Sequence, residues 1–524
     1  MTGLERITAI RRHSLLKGEN WVHKEIFRLL RKEDLWTIAY DRISNKLGRP
    51  SLNLMPVKLK SHVIKKLGVL RELVINEHYS PKQKKSLAVR ESIKVGRTLQ
   101  FQVFEDFVVQ EVVRMVLEAI YEPLFSLASF GCYSHSHLGP HHALEQVSKT
   151  FGICDFVIEG RIESVYHLMD NKLLLSLLKR RIDDVRFLNL IWKILKAGLL
   201  SENVSISSIT SVPYGSILLP ILIDVYFREF DLWIGKCKIN LVNGNPIPWV
   251  LQFFENIEEF VELDVDSMSS FDEFILQGKS RYSQMVFGDF SVFSEKIVSI
   301  EYIRYANQWL IGIKGHSSSM FRFKEEIQRF LKYYLRIDSS YVTVSLRNFY
   351  SGQIYFLGYE IFLPRNQSLT FKNKINCYRR NKLRFEAPIK RLLNELLTLG
   401  IIKSTLEGLR PISKVSAVRL KDHTIIRYFR LLWMGIFTYY SGCTAPERLQ
   451  YVHYLIHMSC AMTLAHRHKT TSFKIFRSKG KTFTSLIPGT DYVVSFPYTN
   501  SWSRDNIHWS LDSTILDPFN LIRY

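Results

Sequence analysis

The chain has 524 residues, with 71 Lys and Arg against 49 Asp and Glu, a formal net charge of +22. Apolar residues make up 46% and aromatics 13%, which excludes a disordered chain, a collagen-like chain and a disulfide miniprotein. Length alone suggests roughly two to four domains.

A positive surplus of this size on a folded chain points to a polyanionic partner. Solubility alone, or an acidic membrane surface, is the plainer alternative. No apolar run reaches the ~18 residues of a membrane span; the best candidate, residues 216–227, is short and contains Asp224. Six cysteines, Cys132, Cys154, Cys237, Cys377, Cys443 and Cys460, form no C-x-x-C pair. That argues against a zinc ribbon and a disulfide framework, and for buried thiols in a reducing compartment. Residues 1–17 lack the apolar core of a secretory signal and make an unconvincing transit peptide.

In chain order, residues 21–40 read as an amphipathic basic helix, with Ile26, Leu29, Leu30, Leu35 and Ile38 on its apolar side. Residues 105–128 read as a long core helix, 153–162 as a short buried strand, and 171–200 as a further helix. Residues 212–233 read as a loop leading into a helix. Residues 255–274 hold eight Asp and Glu and no Lys or Arg, and read as an exposed acidic insertion. Residues 298–314 predict two strands around a tight turn at Ala306-Asn307-Gln308. A helix over 321–336 and strands over 341–345 and 353–362 follow. From 375 to 481 mainly helices are expected, at about 386–400, 421–440 and 445–466.

The charge is unevenly placed. Residues 375–483 hold 20 Lys and Arg against 5 Asp and Glu, a net +15 of the total +22. Tyr378, Phe385, Tyr428, Phe473, Phe476 and Phe483 sit among them. Cations for phosphates and flat rings for unstacked bases are what structured RNA binding needs.

Several segments, in order, resemble the group II intron maturase/reverse transcriptase family. Residues 110–125 (QEVVRMVLEAIYEPLF) resemble its fingers helix, with Asp106-Phe107 where the family has Asp-Arg. Ser129-Phe130-Gly131 and His141-His142-Ala143-Leu144 resemble the stretch around G-F-R-P-G-R-S and H-x-A-L. The run from Pro213 to Pro220 (PYGSILLP) resembles the P-Q-G-G-I-L-S-P turn, and YIRYANQWLIGI, 302–313, lies on the Y-x-R-Y-A-D-D-x-L-I-G hairpin. Residues 356–361 resemble F-L-G-x-x-I. Pro411-Ile412-Ser413-Lys414, Tyr439-Tyr440-Ser441 and SCAMTLAHRHKT, 459–470, resemble domain X, or the thumb, which in that family helps bind the host intron RNA.

The resemblance implies an α+β chain with right-hand polymerase-like fingers and palm followed by a mainly helical thumb. Residues 1–150 would be an N-terminal extension and fingers, 151–365 the palm with the acidic insertion, 366–483 domain X, and 484–524 a tail. A polymerase of this kind holds two Mg²⁺ ions on one Asp of the first palm strand and two of the Y-x-D-D turn. Arg161, Asn307 and Gln308 stand at those positions. Glu159 and Glu163 share a strand face with Arg161 and are expected to salt-bridge it. Tyr133 and Tyr214 replace two further family residues. The palm is therefore expected to fold but not to polymerise, and the protein itself to need no cofactor; Mg²⁺ is expected with the intron RNA. The tail has no Cys and only His508, so the family's H-N-H endonuclease is not expected. His135, His137, His141 and His142 are expected to hold no metal, with no Asp or Glu among them.

The function implied is an RNA-binding splicing cofactor for a group II intron, whose own RNA does the transesterification. Expected RNA-contact residues are Arg379, Arg380, Lys390, Arg391, Lys403, Arg410, Lys414, Arg467, His468, Lys469, Lys474, Arg477, Lys479 and Lys481, with Lys24, Arg28, Arg31 and Lys32 near the N-terminus. An active reverse transcriptase with unusual ligands, and an inert relic of a mobile element, are the alternatives. No membrane association is expected; other organellar splicing factors are candidate partners, and the oligomeric state is left open. A palm this altered without an endonuclease resembles organelle-encoded members of the family, in the mitochondrion ahead of the chloroplast.

Overall fold

The computed structural model describes residues 2–18, 21–46, 51–52, 56–81, 104–131, 139–163, 165–197, 216–242, 297–315, 317–350, 352–363, 383–406, 408–480, 482–486 and 493–496. The expected acidic insertion lies outside them, as does most of the expected tail. Helices and sheets mix in an α+β chain with two compact units. The first is built from residues 1–136 and 160–346, the second from 137–159 and 347–524.

The first unit opens with α1 (Gly3–Lys17), α2 (Glu33–Lys46), α3 (Val57–Ile75) and α4 (Phe104–Tyr121). Thr2 caps α1 in a capping box: its hydroxyl accepts from the Glu5 N–H while the Glu5 carboxylate accepts from the Thr2 N–H. α4 is buried nearly all round and packs against α1 and α2; its buried polar residues are paired, Arg114 with Glu111 and Glu118, and Asp106 with the Tyr79 hydroxyl. It ends at Tyr121, earlier than expected, because Pro123 opens a 3₁₀ turn, Glu122–Leu124.

Residues 21–40 are not one helix. His23–Lys24 pair in parallel with Ile182–Asp183, Ile26–Arg31 form a 3₁₀ turn, and α2 starts only at Glu33. Glu25 is left-handed, at φ 55°, and the Phe27 N–H donates to the Asp184 carboxylate at 2.8 Å. Both break the register that the apolar spacing implied. The expected helix over 171–200 is split likewise, into α6 (Asn171–Lys179) and α7 (Val185–Ala197), α5 being Pro140–Thr150 in the second unit. Asp170 caps α6, and Asp184 accepts from the Phe187 N–H to start α7.

The main sheet has strands β1 (Ser129–Phe130), β2 (Phe156–Ile162), β3 (Ile297–Tyr305), β4 (Gln308–Gly315) and β5 (Val342–Asn348), in the order β1-β3-β4-β2-β5. β3 and β4 form the expected antiparallel hairpin, with Tyr305 opposite Gln308. α8 (Leu219–Val242) packs on β3. α9 (Ser317–Arg329) runs into a π-helical turn, Phe330–Tyr334. Trp233 stacks on Phe330 at 4.9 Å between centroids, and Phe230 meets Trp309 edge-on at 5.4 Å. Trp309 lies flat over Gly160, where an added Cβ would fall 1.9 Å from its ring.

In the second unit, β6 (Ile354–Phe356), β7 (Tyr359–Phe362) and β8 (Arg384–Glu386) form an antiparallel sheet in the order β8-β7-β6. Leu357 and Gly358, both at positive φ, make its tight turn. α10 (Ile389–Thr398), α11 (Asp422–Tyr439) and α12 (Leu449–Arg467) match the three helices placed there, and α13 (Ser472–Lys479) adds a fourth short one. The expectation of mainly helices missed β8 and a hairpin, β9 (Ile402–Thr405) with β10 (Gly408–Pro411). The Tyr359 hydroxyl donates to the Tyr439 carbonyl, and the Tyr439 hydroxyl to that of Leu357. Cys154, Cys237, Cys443 and Cys460 are buried free thiols. Among the described residues no helix is long and apolar enough to cross a membrane.

Candidate nucleic-acid interface

The structure brings Arg161, Asn307 and Gln308 to one end of the main sheet. The Ile162 N–H donates to the Asn307 carbonyl at 3.1 Å, and the Asn307 side-chain amide donates back to the Ile162 carbonyl at 2.6 Å. Ala306 takes φ 50° in the turn before it. Arg161 is exposed, and its carbonyl accepts from the Thr343 hydroxyl. The expected bridge from Glu159 to Arg161 does not form. Glu159 pairs instead with Arg347 at 3.0 Å and accepts from the Tyr355 N–H. The three side chains at this spot are thus a cation and two amides, one amide already spent on Ile162. Magnesium prefers carboxylate oxygen, so this donor set does not fit it.

Behind the turn sits a cluster that sequence reasoning missed. Arg304 is fully buried, and all five of its N–H groups are used. They go to Asp231 twice, at 2.7 and 2.8 Å, to Asp224 at 2.9 Å, to the Ala306 carbonyl at 3.0 Å and to the Ser129 hydroxyl at 2.5 Å. Tyr302 donates its hydroxyl to Asp231 at 2.5 Å. Burial opposes the charge of Arg304, but Asp231 and Asp224 outweigh it and raise its pKa. A partial signal was present: Asp224 and Asp231 are seven residues apart and so share one face of the helix, where buried carboxylates need a cation.

In the second unit, Lys403 on β9 and Arg410 on β10 face each other directly, and both are exposed. Lys390 and Arg391 are exposed on α10, as are Lys469, Lys474 and Arg477 around α13. Four other expected contacts are engaged within the protein. Lys414 donates to the Leu399 carbonyl and the Tyr428 hydroxyl. Arg467, His468 and Lys479 converge on Asp422 at 2.9, 2.9 and 2.6 Å. Asp422 thereby gathers the ends of α12 and α13 onto the start of α11. Burial works against its charge, but hydrogen bonds from Lys479 and His468 outweigh it and hold the carboxyl below the ordinary aspartate range.

Arg379, Arg380 and Lys481 lie outside the described residues. Near the N-terminus, in the first unit, Arg28 pairs with Glu25 at 2.7 Å, Lys24 lies 4.0 Å from Asp183, Arg31 is exposed and Lys32 half-buried. Of the histidine run, His135 and His137 are outside the described residues, as are Tyr133 and Tyr214. His141 hydrogen-bonds the Tyr439 carbonyl while His142 accepts from the Gly139 N–H, so these two do not converge. Sequence reasoning also passed over Arg419, Lys421, Arg427 and Arg430, exposed on α11 and the turn before it. Their spacing on an expected helix was the available signal.

A protein-family model described as type II intron maturase matches residues 380–523. The group II intron-encoded protein LtrA of Lactococcus lactis subsp. cremoris is 24% identical over 462 residues, 86% of this chain and 76% of LtrA. The chain is thus similar over most of its length to group II intron-encoded proteins, and residues 380–523 match the type II intron maturase family. Other relatives of this maturase-like chain agree. The COX1/OXI3 intron 1 protein of Saccharomyces cerevisiae is 23% identical over 524 residues, 96% of this chain and 61% of that protein. Maturase K of Staurastrum punctulatum is 26% identical over 394 residues, 67% of this chain and 66% of Maturase K.

Proposed function

We propose that the protein is an RNA-binding maturase that assists splicing of a group II intron by stabilising the catalytic fold of the intron RNA. The observation that carries this is the facing pair Lys403 and Arg410. Both side chains are exposed and stand on one face of the hairpin, a placement that suits neighbouring phosphates. Lys390, Arg391, Lys469, Lys474 and Arg477 extend the basic surface of the same unit, which holds the type II intron maturase match. Residues 366–483 are then the thumb, 151–365 a palm and 1–150 the fingers. The partner is group II intron RNA, with its own Mg²⁺. The site is an organelle, the mitochondrion ahead of the chloroplast, in keeping with relatives named for COX1/OXI3 and cob introns.

Catalysis is left to the RNA, because Arg161, Asn307 and Gln308 supply no carboxylate to a metal. The test is binding of the full chain to a group II intron RNA over a salt series. Electrostatic clamping gives a steep fall of affinity with salt; a flat response rejects it. Sequencing of RNA that copurifies with the native protein then names the intron, and recovery of no intron RNA favours an inert relic.

A residual RNA-directed DNA polymerase is the second reading. It rests on Glu163, exposed two residues beyond Arg161. Primer extension on an RNA template, with Glu163→Gln as control, separates the two; cDNA lost in the control supports the polymerase.

A further inference from the structure

α12 is buried along most of its surface, against α11, α13 and β10. One stripe is left open. Tyr451 is 45% exposed and Tyr454 52% exposed, followed by half-buried Met458 and Met462. This spacing puts the two rings side by side on one helix face. Neither ring has a hydrogen bond or a ring partner among the described residues. The same helix anchors the chain that leaves β10. Ser459 donates its hydroxyl to the Ile412 carbonyl at 2.6 Å, and the Thr463 hydroxyl accepts from the Lys414 N–H at 3.0 Å. The strand carrying Arg410 is thus fixed to the helix carrying the tyrosines.

We propose that Tyr451 and Tyr454 form a stacking platform for unpaired bases of RNA, with Lys403 and Arg410 taking the adjoining phosphates. This rests on the RNA-binding reading above and adds the class of RNA that the surface selects. Bases in a duplex are stacked on each other and present edges and backbone, whereas unpaired bases are free to stack on aromatic side chains. Tyrosine suits such a surface, because its ring is apolar and its hydroxyl remains in water. The excess of cations over residues 375–483 favours a nucleic acid over an apolar protein partner.

The experiment compares a single-stranded RNA oligonucleotide of mixed sequence with its duplex, bound to the full chain over a salt series. Tyr451→Ala with Tyr454→Ala is expected to lose about tenfold or more in affinity for the single strand, since stacking contributes on that order per base. Duplex binding and the salt slope are expected to stay unchanged. The Tyr451→Phe, Tyr454→Phe pair keeps the rings and is expected to bind as the parent does. Both positions are exposed, so folding is checked by the thermal midpoint alone. Equal loss on single strand and duplex overturns the proposal, as does wild-type affinity in the alanine pair or alanine-like loss in the phenylalanine pair. Parent protein that binds neither RNA overturns the RNA-binding reading as well; parent binding with indifferent tyrosines overturns only the platform.

Discussion

The Asn307 side-chain amide donates to the Ile162 carbonyl at 2.6 Å and so ties the β3–β4 turn to the end of β2. An aspartate there has no N–H to give and sets a carboxylate against a carbonyl. Asn307→Asp is expected to destabilise the protein by about 1–3 kcal/mol. Urea unfolding measures it; an unchanged midpoint sinks the staple role. Bringing back one acid at this turn therefore removes a structural contact before it contributes any chemistry.

Arg304 holds the same turn from behind. Removing one partner of a buried ion cluster typically costs about 3–5 kcal/mol, because the remaining charges lose their neutraliser. Arg304→Leu is expected to fall in that range, and Arg304→Lys to lose much of it, since an ammonium cannot reproduce the planar fork. Wild-type stability in both variants, read by denaturant midpoint, contradicts the cluster.

Lys403 separates binding from stability. Lys403→Glu places opposite charges across β9 and β10, which is expected to stabilise by roughly 0.2–1 kcal/mol. The same change is expected to weaken intron RNA binding and reduce the salt slope by about one ion. A variant that is both less stable and unaltered in RNA binding would falsify the assignment of this face.

Asp422 predicts a pH dependence. Its folded carboxyl titrates below the ordinary range, so its contribution is fully present above the unfolded value, about 3.9. It is lost as the pH falls through the lower folded value. The site is partly exposed, so Asp422→Asn is expected to cost no more than about 1 kcal/mol near neutrality. Thermal melts against pH are expected to show the gap between parent and variant closing in acid; a gap that persists there speaks against the ion pairs.

Much of the first unit's plan was readable because local signals agreed. The turn at Asn307 and the long apolar α4 both combine a strong pattern with clear punctuation at Ala306 and Pro123. Residues 21–40 misled because Ile26, Leu29 and Leu30 are buried at spacings that a 3₁₀ turn also satisfies. What set the backbone there was Asp184, more than a hundred residues away. The basic face was legible as composition, but not its division into exposed and engaged cations. That division depends on Asp422, one acid among many bases, whose three partners come from helix ends distant in sequence. β9 and β10 were missed because four-residue strands carry too little alternation to register.

Gly160 and Trp309 have a further consequence. Any side chain at 160 collides with the indole, and any smaller residue at 309 leaves a hollow against Phe230. Neither position can be altered profitably alone, so the two form an interlock. The turn two residues from Trp309 is constrained by other means, through Asn307 on the Ile162 carbonyl and Arg304 on the Ala306 carbonyl. The hairpin is therefore held twice within a few residues, by shape at Trp309 and by hydrogen bonding at its turn.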